Sequence, residues 1–249
     1  MIPKDFTAEP GLLAGRLILI TGASSGFGRA LALECARAGA NVLLSGRNPA
    51  KLNLIYDEIE KMGGPPPAIA ALDLATATAV EYDNLAKIIG GEFGKLDGLV
   101  HAAAMLGDRT PLEQYDVPTW CRVLHVNLTA PFILTQVLLP ALRRSLDASV
   151  IFVSSGIVKN PRPFWGAYAV SKAGLDSVRT LLAQELEGEA NIRINSVNPG
   201  RMRTAMRAAA YPAEDPNTVP WPAAVCGAFV YLLSAQGRGI DGQYLDAQS

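Results

Sequence analysis

The chain predicts an α/β fold: a doubly wound parallel sheet of about seven strands, with helices on both faces, in three α/β/α layers. Three observations carry this expectation. Short apolar runs alternate with longer amphipathic stretches along almost the whole chain. The runs are apolar throughout rather than at every second position, as in strands buried on both faces. A glycine-rich turn joins the first run to the first amphipathic stretch. In order, a strand is expected at 16–21 (RLILIT) and a helix at 26–38. A second strand at 41–45 leads to a helix at 49–62, opened by Pro49, whose fixed φ suits a first turn. Glycines and prolines at 63–67 form a loop. A strand at 68–72, a helix at 76–93 and a strand at 96–103 follow. The long helix expected at 117–146 is interrupted near Pro131 and Pro140. A strand at 149–154, a helix at 164–188 and a strand at 192–197 come next. A short helix at 203–210, a longer one at 220–234 and a last strand at 243–245 complete the series. With no internal repeat and no linker, 1–249 reads as one domain with a substrate lid at about 201–222.

Composition restricts the function classes. Hydrophobic residues make up 49% and charged residues 18%, with a net charge of −1. That leaves a large core and no basic footprint for nucleic acid or an anionic membrane. No apolar run is expected to span a bilayer. The N-terminal residues lack the apolar stretch of a signal peptide, so the expected location is cytoplasmic. Cys35, Cys121 and Cys226 form no CxxC pair and read as small hydrophobes in a reducing compartment. His101 and His125 have no partner at metal-ligand spacing, so no metal is expected.

In a doubly wound sheet the ligand crevice lies outside the carboxyl ends of the strands. After the first strand comes Thr21-Gly-Ala-Ser-Ser-Gly-Phe-Gly28, a GxxxGxG pattern. It differs from GxGxxG but serves the same needs: a tight turn, backbone close to a pyrophosphate, and a helix packed closely on the sheet. The helix start offers N–H groups and a positive dipole end to phosphate. Gly22, Ser24, Ser25, Gly26, Phe27 and Gly28 are therefore the candidate cradle. No Lys-Ser or Lys-Thr pair follows, against an NTP-hydrolysing loop. The second strand ends in Ser45-Gly46-Arg47-Asn48, where an acidic residue usually holds the ribose 2′-hydroxyl of NAD. Gly46 leaves no carboxylate to repel a 2′-phosphate, and Arg47 has the planar fork to bind one. Ser45 and Asn48 are candidates for further hydrogen bonds. The expected cofactor is NADP(H) rather than NAD(H).

Ser155 follows the fifth strand, and Tyr168-Ala-Val-Ser-Lys172 lies further along. Tyr168 and Lys172 are i and i+4, on one helix face. A nearby ammonium favours the phenolate, so Lys172 is expected to lower the tyrosine pKa from about 10 toward working pH. A tyrosine so tuned passes a proton to or from a carbinol oxygen.

TGASSGFG, the Ser155 to Tyr168-Ala-Val-Ser-Lys172 spacing, and Asn198-Pro199-Gly200 together resemble the short-chain dehydrogenase/reductase family, over about residues 13–245. Within it, the chain is similar to the bacterial YciK-like oxidoreductases in LLSGRN, in Met105-Leu-Gly-Asp108, in WGAYAVSK from Trp165, and in RTAMRAAAYPAEDP from Arg203. The resemblance implies a Rossmann-type domain in which Tyr168 is the general acid/base. Lys172 would lower its pKa and bind the nicotinamide ribose. Ser155 would hydrogen-bond the substrate oxygen. Asn127 would hold a water in the proton relay, with a purely structural helix role as the competing reading. Pro199, Gly200 and Thr204 would hold the nicotinamide and its carboxamide. Asp73 and Leu74 would meet the adenine, Asp73 also being a candidate helix N-cap or turn residue. A homodimer or homotetramer is implied, formed through the helices at 117–146 and 164–188.

One departure stands out. Where the family has Asn-Asn-Ala-Gly after the fourth strand, this chain has His101-Ala102-Ala103-Ala104. Ala102 and Ala103 keep their place beside the cofactor. Loss of the asparagine at 102 is expected to cost on the order of 1 kcal/mol unless another group makes its backbone bonds. His101 and His125 read as core or crevice-wall residues.

The expected activity is NADP(H)-dependent hydride transfer between the nicotinamide and a small-molecule carbonyl/alcohol pair. The alternative is a non-catalytic NADP(H)-binding redox sensor, which would not need both Tyr168 and Lys172. The lid contributes Met202, Met206, Tyr211 and Trp221, which with Phe164 and Trp165 suggest an apolar wall. Its arginines, Arg201, Arg203 and Arg207, read as solvated charges first and as anion contacts second.

Overall fold

A computed structural model describes residues 2–3, 6–189 and 191–248. The strands are β1 (Leu17–Thr21), β2 (Asn41–Gly46), β3 (Ala68–Ala71), β4 (Gly98–His101), β5 (Ala148–Val153), β6 (Ile192–Asn198) and β7 (Tyr244–Asp246). They pair in parallel in one sheet, in the order β3-β2-β1-β4-β5-β6-β7. The helices are α1 (Gly26–Arg37), α2 (Pro49–Lys61), α3 (Ala79–Ile88), α4 (Val117–Leu124), α5 (Ala130–Arg143), α6 (Gly166–Glu185), α7 (Ala205–Ala210) and α8 (Cys226–Leu233). The chain winds outward from β1 through β2 and β3, then returns to β4 and winds the other way. The strand order therefore reverses between β1 and β4, and a crevice opens there.

Burial on both faces is visible within β1. Ile18 and Ile20 join the core that holds Leu31 of α1 and Phe229 of α8. Leu17 and Leu19 join the opposite core, with Leu134 and Leu138 of α5 and Leu175 of α6. An apolar residue at every position is what two such cores require.

The long helix departs from expectation. Helical backbone runs unbroken over Val117–Arg143. Its irregularity lies neither at Pro131 nor at Pro140 but in a π-helical turn at His125–Thr129. Pro131 has no N–H for the Asn127 carbonyl and would crowd it. A widened turn just ahead of the proline relieves the crowding and lets the helix continue. Pro140 is held inside α5. The result is a 27-residue rod long and apolar enough by length and composition to cross a membrane, contrary to the expectation that no such run exists. Here its residues Ala130, Leu134, Leu138 and Leu142 are buried in the core with Leu99, Val150 and Phe152 of the sheet.

Smaller corrections concern element ends. α3 starts later than expected: Thr78 and Glu81 form its capping box. A π turn at Ile89–Phe93 closes it. β4 stops at His101 because the Ala102 N–H turns back to the Val100 carbonyl, 3.1 Å away. The expected helix at 220–234 begins as a 3₁₀ turn, Pro222–Val225, before α8.

The amino ends of the strands are tied by charge. Asp147, just before β5, accepts from Arg16 Nη1 at 3.1 Å and Arg193 Nε at 3.1 Å. Arg238 stands 3.3 Å from the same carboxylate. Arg193 also donates to the Leu232, Gly237 and Ser234 carbonyls, which answers the orphan acceptors at the end of α8. Burial raises the Asp147 pKa, but Arg193 and Arg16 outweigh it and hold the carboxyl below its ordinary value of 3.8. Asp147→Asn leaves the buried Arg193 and the half-buried Arg16 guanidiniums poorly compensated and should destabilise the protein by about 3 kcal/mol in urea denaturation at pH 7. A carboxylate with a depressed folded pKa stabilises above its unfolded pKa. The wild-type advantage should therefore shrink as pH falls through the region below 3.8.

Candidate active site

The turn after β1 is shaped by close backbone approaches. Gly22 has φ +69°, and a Cβ there would come within 2.8 Å of the Ala103 Cα. A Cβ on Gly28 would land on the Gly22 carbonyl oxygen, so Gly28 lets α1 sit directly on the turn. Gly26 is the glycine that faces open space: a Cβ there would meet only the Thr204 methyl, at 3.6 Å. Thr21 Oγ1 accepts from the Ala103 N–H at 3.1 Å and donates to the Val100 carbonyl at 3.4 Å. This threonine ties β1 to the turn after β4 without any asparagine at 102. Ser25 is the N-cap of α1 yet makes no side-chain cap bond. Asn48, Thr78, Asp116 and Thr204 each cap their own helices. Of these sites, the start of α1 alone combines a capping-type residue with uncapped N–H groups, as an anion site requires. The Phe27 ring packs into the core, 4.6 Å from that of Phe229, and also borders the cleft.

The cleft holds ≈ 390 Å³ and runs along the carboxyl ends of the strands. At the β2–β3 end it is lined by Ser24, Ser45, Gly46, Arg47, Leu72, Asp73 and Leu74. Arg47 is exposed, with no hydrogen-bond or ion-pair partner among the described residues. The Ser45 hydroxyl is buried and unpaired. Asn48 is committed elsewhere, since its side chain accepts from the Lys51 N–H at 3.1 Å to cap α2. Asp73 caps no helix; its carboxylate accepts from the Ala75 N–H at 3.0 Å in a tight turn.

At the other end, past β5 and β6, stand Ser155, Tyr168, Lys172, Pro199, Gly200 and Thr204, with Ala102 and Ala103 between the two ends. Lys172, 2% exposed, donates from Nζ to the carbonyl of Val153, the last residue of β5, at 2.6 Å. Its Nζ lies 5.9 Å from the centre of the Tyr168 ring. Burial pushes Lys172 down to about 8. The expected lowering of Tyr168 is absent here: burial raises its pKa above 10, and a hydrogen bond with Ser155 offsets only part of that rise. The ammonium bonds the strand-end carbonyl, and desolvation of the phenol dominates.

Asn127 is fully buried and structurally committed. Its Oδ1 accepts from the Met105 N–H at 2.7 Å, and its Nδ2 donates to the Met105 carbonyl at 2.8 Å and to Ser171 Oγ at 3.0 Å. It clamps the loop after β4 to α6. His101 belongs to the core: Nε2 meets Thr135 Oγ1 at 2.8 Å, the ring stacks on Phe152, and burial lowers its pKa to about 3.

Several supports were not foreseen. Tyr244 of β7 donates to the Ser155 carbonyl at 2.9 Å. Gln248 donates to the Pro199 and Arg201 carbonyls, and Asn198 Oδ1 accepts from the Gly200 N–H. Arg109 donates to the Phe164 and Ala210 carbonyls and lies over the Trp165 ring at 4.1 Å. Phe164 has φ +69°, a strained value for a residue with a Cβ. The lid arginines are not simply solvated: Arg203 lies over Trp221 at 4.4 Å, and Arg207 forms a two-point pair with Glu214.

A sheet that winds both ways from β1, with an anion cradle at its first turn, defines a Rossmann-like nucleotide-binding fold. The family model for short chain dehydrogenases matches residues 16–215, and the chain belongs to that family. It is 41% identical to the oxidoreductase YciK of Escherichia coli K12 over 98% of this chain and 96% of that protein. It is similar to the structure of a short chain dehydrogenase from Pseudomonas syringae, with TM-score 0.96 and 48% identity, covering 98% and 99% of the two chains. A Shigella flexneri 2a short chain dehydrogenase complexed with NADP matches with TM-score 0.94 and 40% identity, over 97% and 100% of the chains.

Gly26 and Gly28 of the cradle differ in what a methyl group would meet. Gly28→Ala should destabilise by about 1–3 kcal/mol in urea denaturation through overpacking against backbone. Gly26→Ala should cost about 1 kcal/mol, from its positive φ alone.

Proposed function

We propose that the protein is an NADP(H)-dependent oxidoreductase that interconverts a carbonyl and an alcohol. The observation that carries this reading is the placement of Ser155, Tyr168 and Lys172 at one end of a cleft whose other end presents Arg47. The cradle suits a dinucleotide: Gly22 and Gly28 let the turn fold tightly under α1, Gly26 leaves the start of the helix open, and that start has uncapped N–H groups. Arg47 and the unpaired Ser45 hydroxyl suit a 2′-phosphate. The NADP complex of the Shigella flexneri relative supports the same cofactor. Bound there, the nicotinamide supplies or accepts the hydride.

The chain's own residues manage the oxygen and its proton. In reduction, Ser155 hydrogen-bonds the carbonyl oxygen. Tyr168, kept protonated by burial, gives its phenolic proton to that oxygen as negative charge develops. The Lys172 ammonium stabilises the tyrosinate left behind. Asn127 has its side chain committed to Met105 and Ser171, so its main-chain carbonyl, which Pro131 cannot meet, is the group available to hold a relay water. Exposed Phe132, Val170 and Leu181 on α5 and α6 offer an apolar face to a second copy of the chain.

Three outcomes test this reading. Tyr168→Phe should lower carbonyl reduction by about 10²–10⁴-fold with NADPH binding intact. Reduction should hold level below pH 8 and fall above it as Lys172 loses its proton, and Lys172→Arg should move that fall upward. Arg47→Ser should weaken NADPH binding roughly 30-fold by fluorescence titration while leaving NADH binding near its original value. Equal losses for both cofactors would refute the role given to Arg47.

A further inference from the structure

The substrate end of the cleft is apolar, and its cations are already engaged. Around Tyr168 the wall is built from Met105, Leu106, Trp165, Met206, Ala210 and Tyr211. Among the described lining residues the only charged side chains are Arg47 and Asp73 at the far end, Lys172, and Arg207. Lys172 bonds the Val153 carbonyl. Arg207 donates from Nε and Nη2 to the two oxygens of Glu214, both at 2.6 Å, and its guanidinium lies 3.7 Å from the centre of the Tyr211 ring. A planar fork paired at two points has its best donor directions occupied. Arg109, behind Trp165, gives its donors to two backbone carbonyls.

From this we infer that the substrate is an uncharged carbonyl compound with an apolar body, and that the Arg207–Glu214 pair makes the site reject anionic carbonyl compounds. The inference rests on the carbonyl-reductase reading above and narrows it. A carboxylate or phosphate entering the chamber would shed its water without gaining a free cation. To gain one it must displace Glu214 and leave that carboxylate unpaired. An apolar body loses nothing polar and covers the Met and aromatic wall. Glu214 is thereby a specificity-determining residue that acts through Arg207 and need not touch the substrate.

The test uses two matched pairs: methyl 4-formylbenzoate against 4-formylbenzoate, and methyl 6-oxoheptanoate against 6-oxoheptanoate. Each is offered to the full-length protein with NADPH, for turnover and for calorimetric binding to the cofactor-loaded form of both wild type and Tyr168→Phe. The esters should exceed the acids by roughly 30-fold or more in kcat/KM and in affinity, the scale of one lost charge-assisted contact. Glu214→Gln frees the guanidinium and should collapse that ratio through better use of the acids, while Glu214→Asp should preserve it. Ester binding in Glu214→Gln reports that the variant is folded. Acids bound as well as esters in wild type, an unchanged ratio in Glu214→Gln, or binding of neither compound class would each overturn the inference. Selective ester binding without turnover would leave it standing and sink only the carbonyl-reductase reading.

Discussion

Parallel pairing is the constraint on which the rest depends. It brings all seven strand ends to one edge, and it leaves each end with backbone groups that the next strand does not meet. Side chains that border the cleft are among the groups that meet them. Lys172 takes the Val153 carbonyl, Thr21 takes the Val100 carbonyl and the Ala103 N–H, and Tyr244 takes the Ser155 carbonyl. The site is thus the completion of the sheet's hydrogen bonding at its carboxyl edge. A lysine 2% exposed is tolerated there because the carbonyl beneath it needs a donor.

Burial then sets the protonation states. Desolvation penalises any charged form, so it moves acids and bases in opposite directions. Tyr168 rises above its ordinary value of 10.0 and Lys172 falls from 10.5 to about 8, so the two move apart and the ammonium becomes the stronger acid of the pair. A phenol that stays protonated at neutral pH is a ready donor toward a developing alkoxide. A lysine near 8 still carries its charge there. His101 shows the same effect within the core: buried and bonded to Thr135, it falls to about 3 and stays neutral.

What could be read in the sequence was what local spacing encodes. The glycines at 22, 26 and 28, the Tyr168–Lys172 step along one helix face, and the Gly46-Arg47 ending of β2 each sit within a few residues of one another, and strand patterning placed them on one edge. What could not be read depends on distant parts of the chain. Asn127 reads as a catalytic asparagine by likeness alone, yet its side chain clamps Met105 and Ser171, 22 and 44 residues away. Tyr244 reaches Ser155 across 89 positions. Arg207 reads as a solvated lid charge until Glu214 is folded back onto it. The prolines at 131 and 140 misled for a related reason: a helix packed in the core can widen one turn ahead of a proline rather than break. The direction of the Tyr168 shift needed burial, which spacing does not report.

The two edges of the sheet divide the work. At the amino edge, one carboxylate and three arginines bind β1, β5, β6 and the end of α8 together, and that cluster lies on the opposite side of the strands from the cleft. The carboxyl edge carries its own strained and open groups: positive φ at Phe164, a Ser45 hydroxyl and an Arg47 guanidinium without partners among the described residues, and uncapped N–H groups at α1. Features of that kind destabilise a fold unless something else holds it, and they are what a site needs in order to bind. The charge cluster restrains the strands at their starts, leaving their ends open to be shaped for binding.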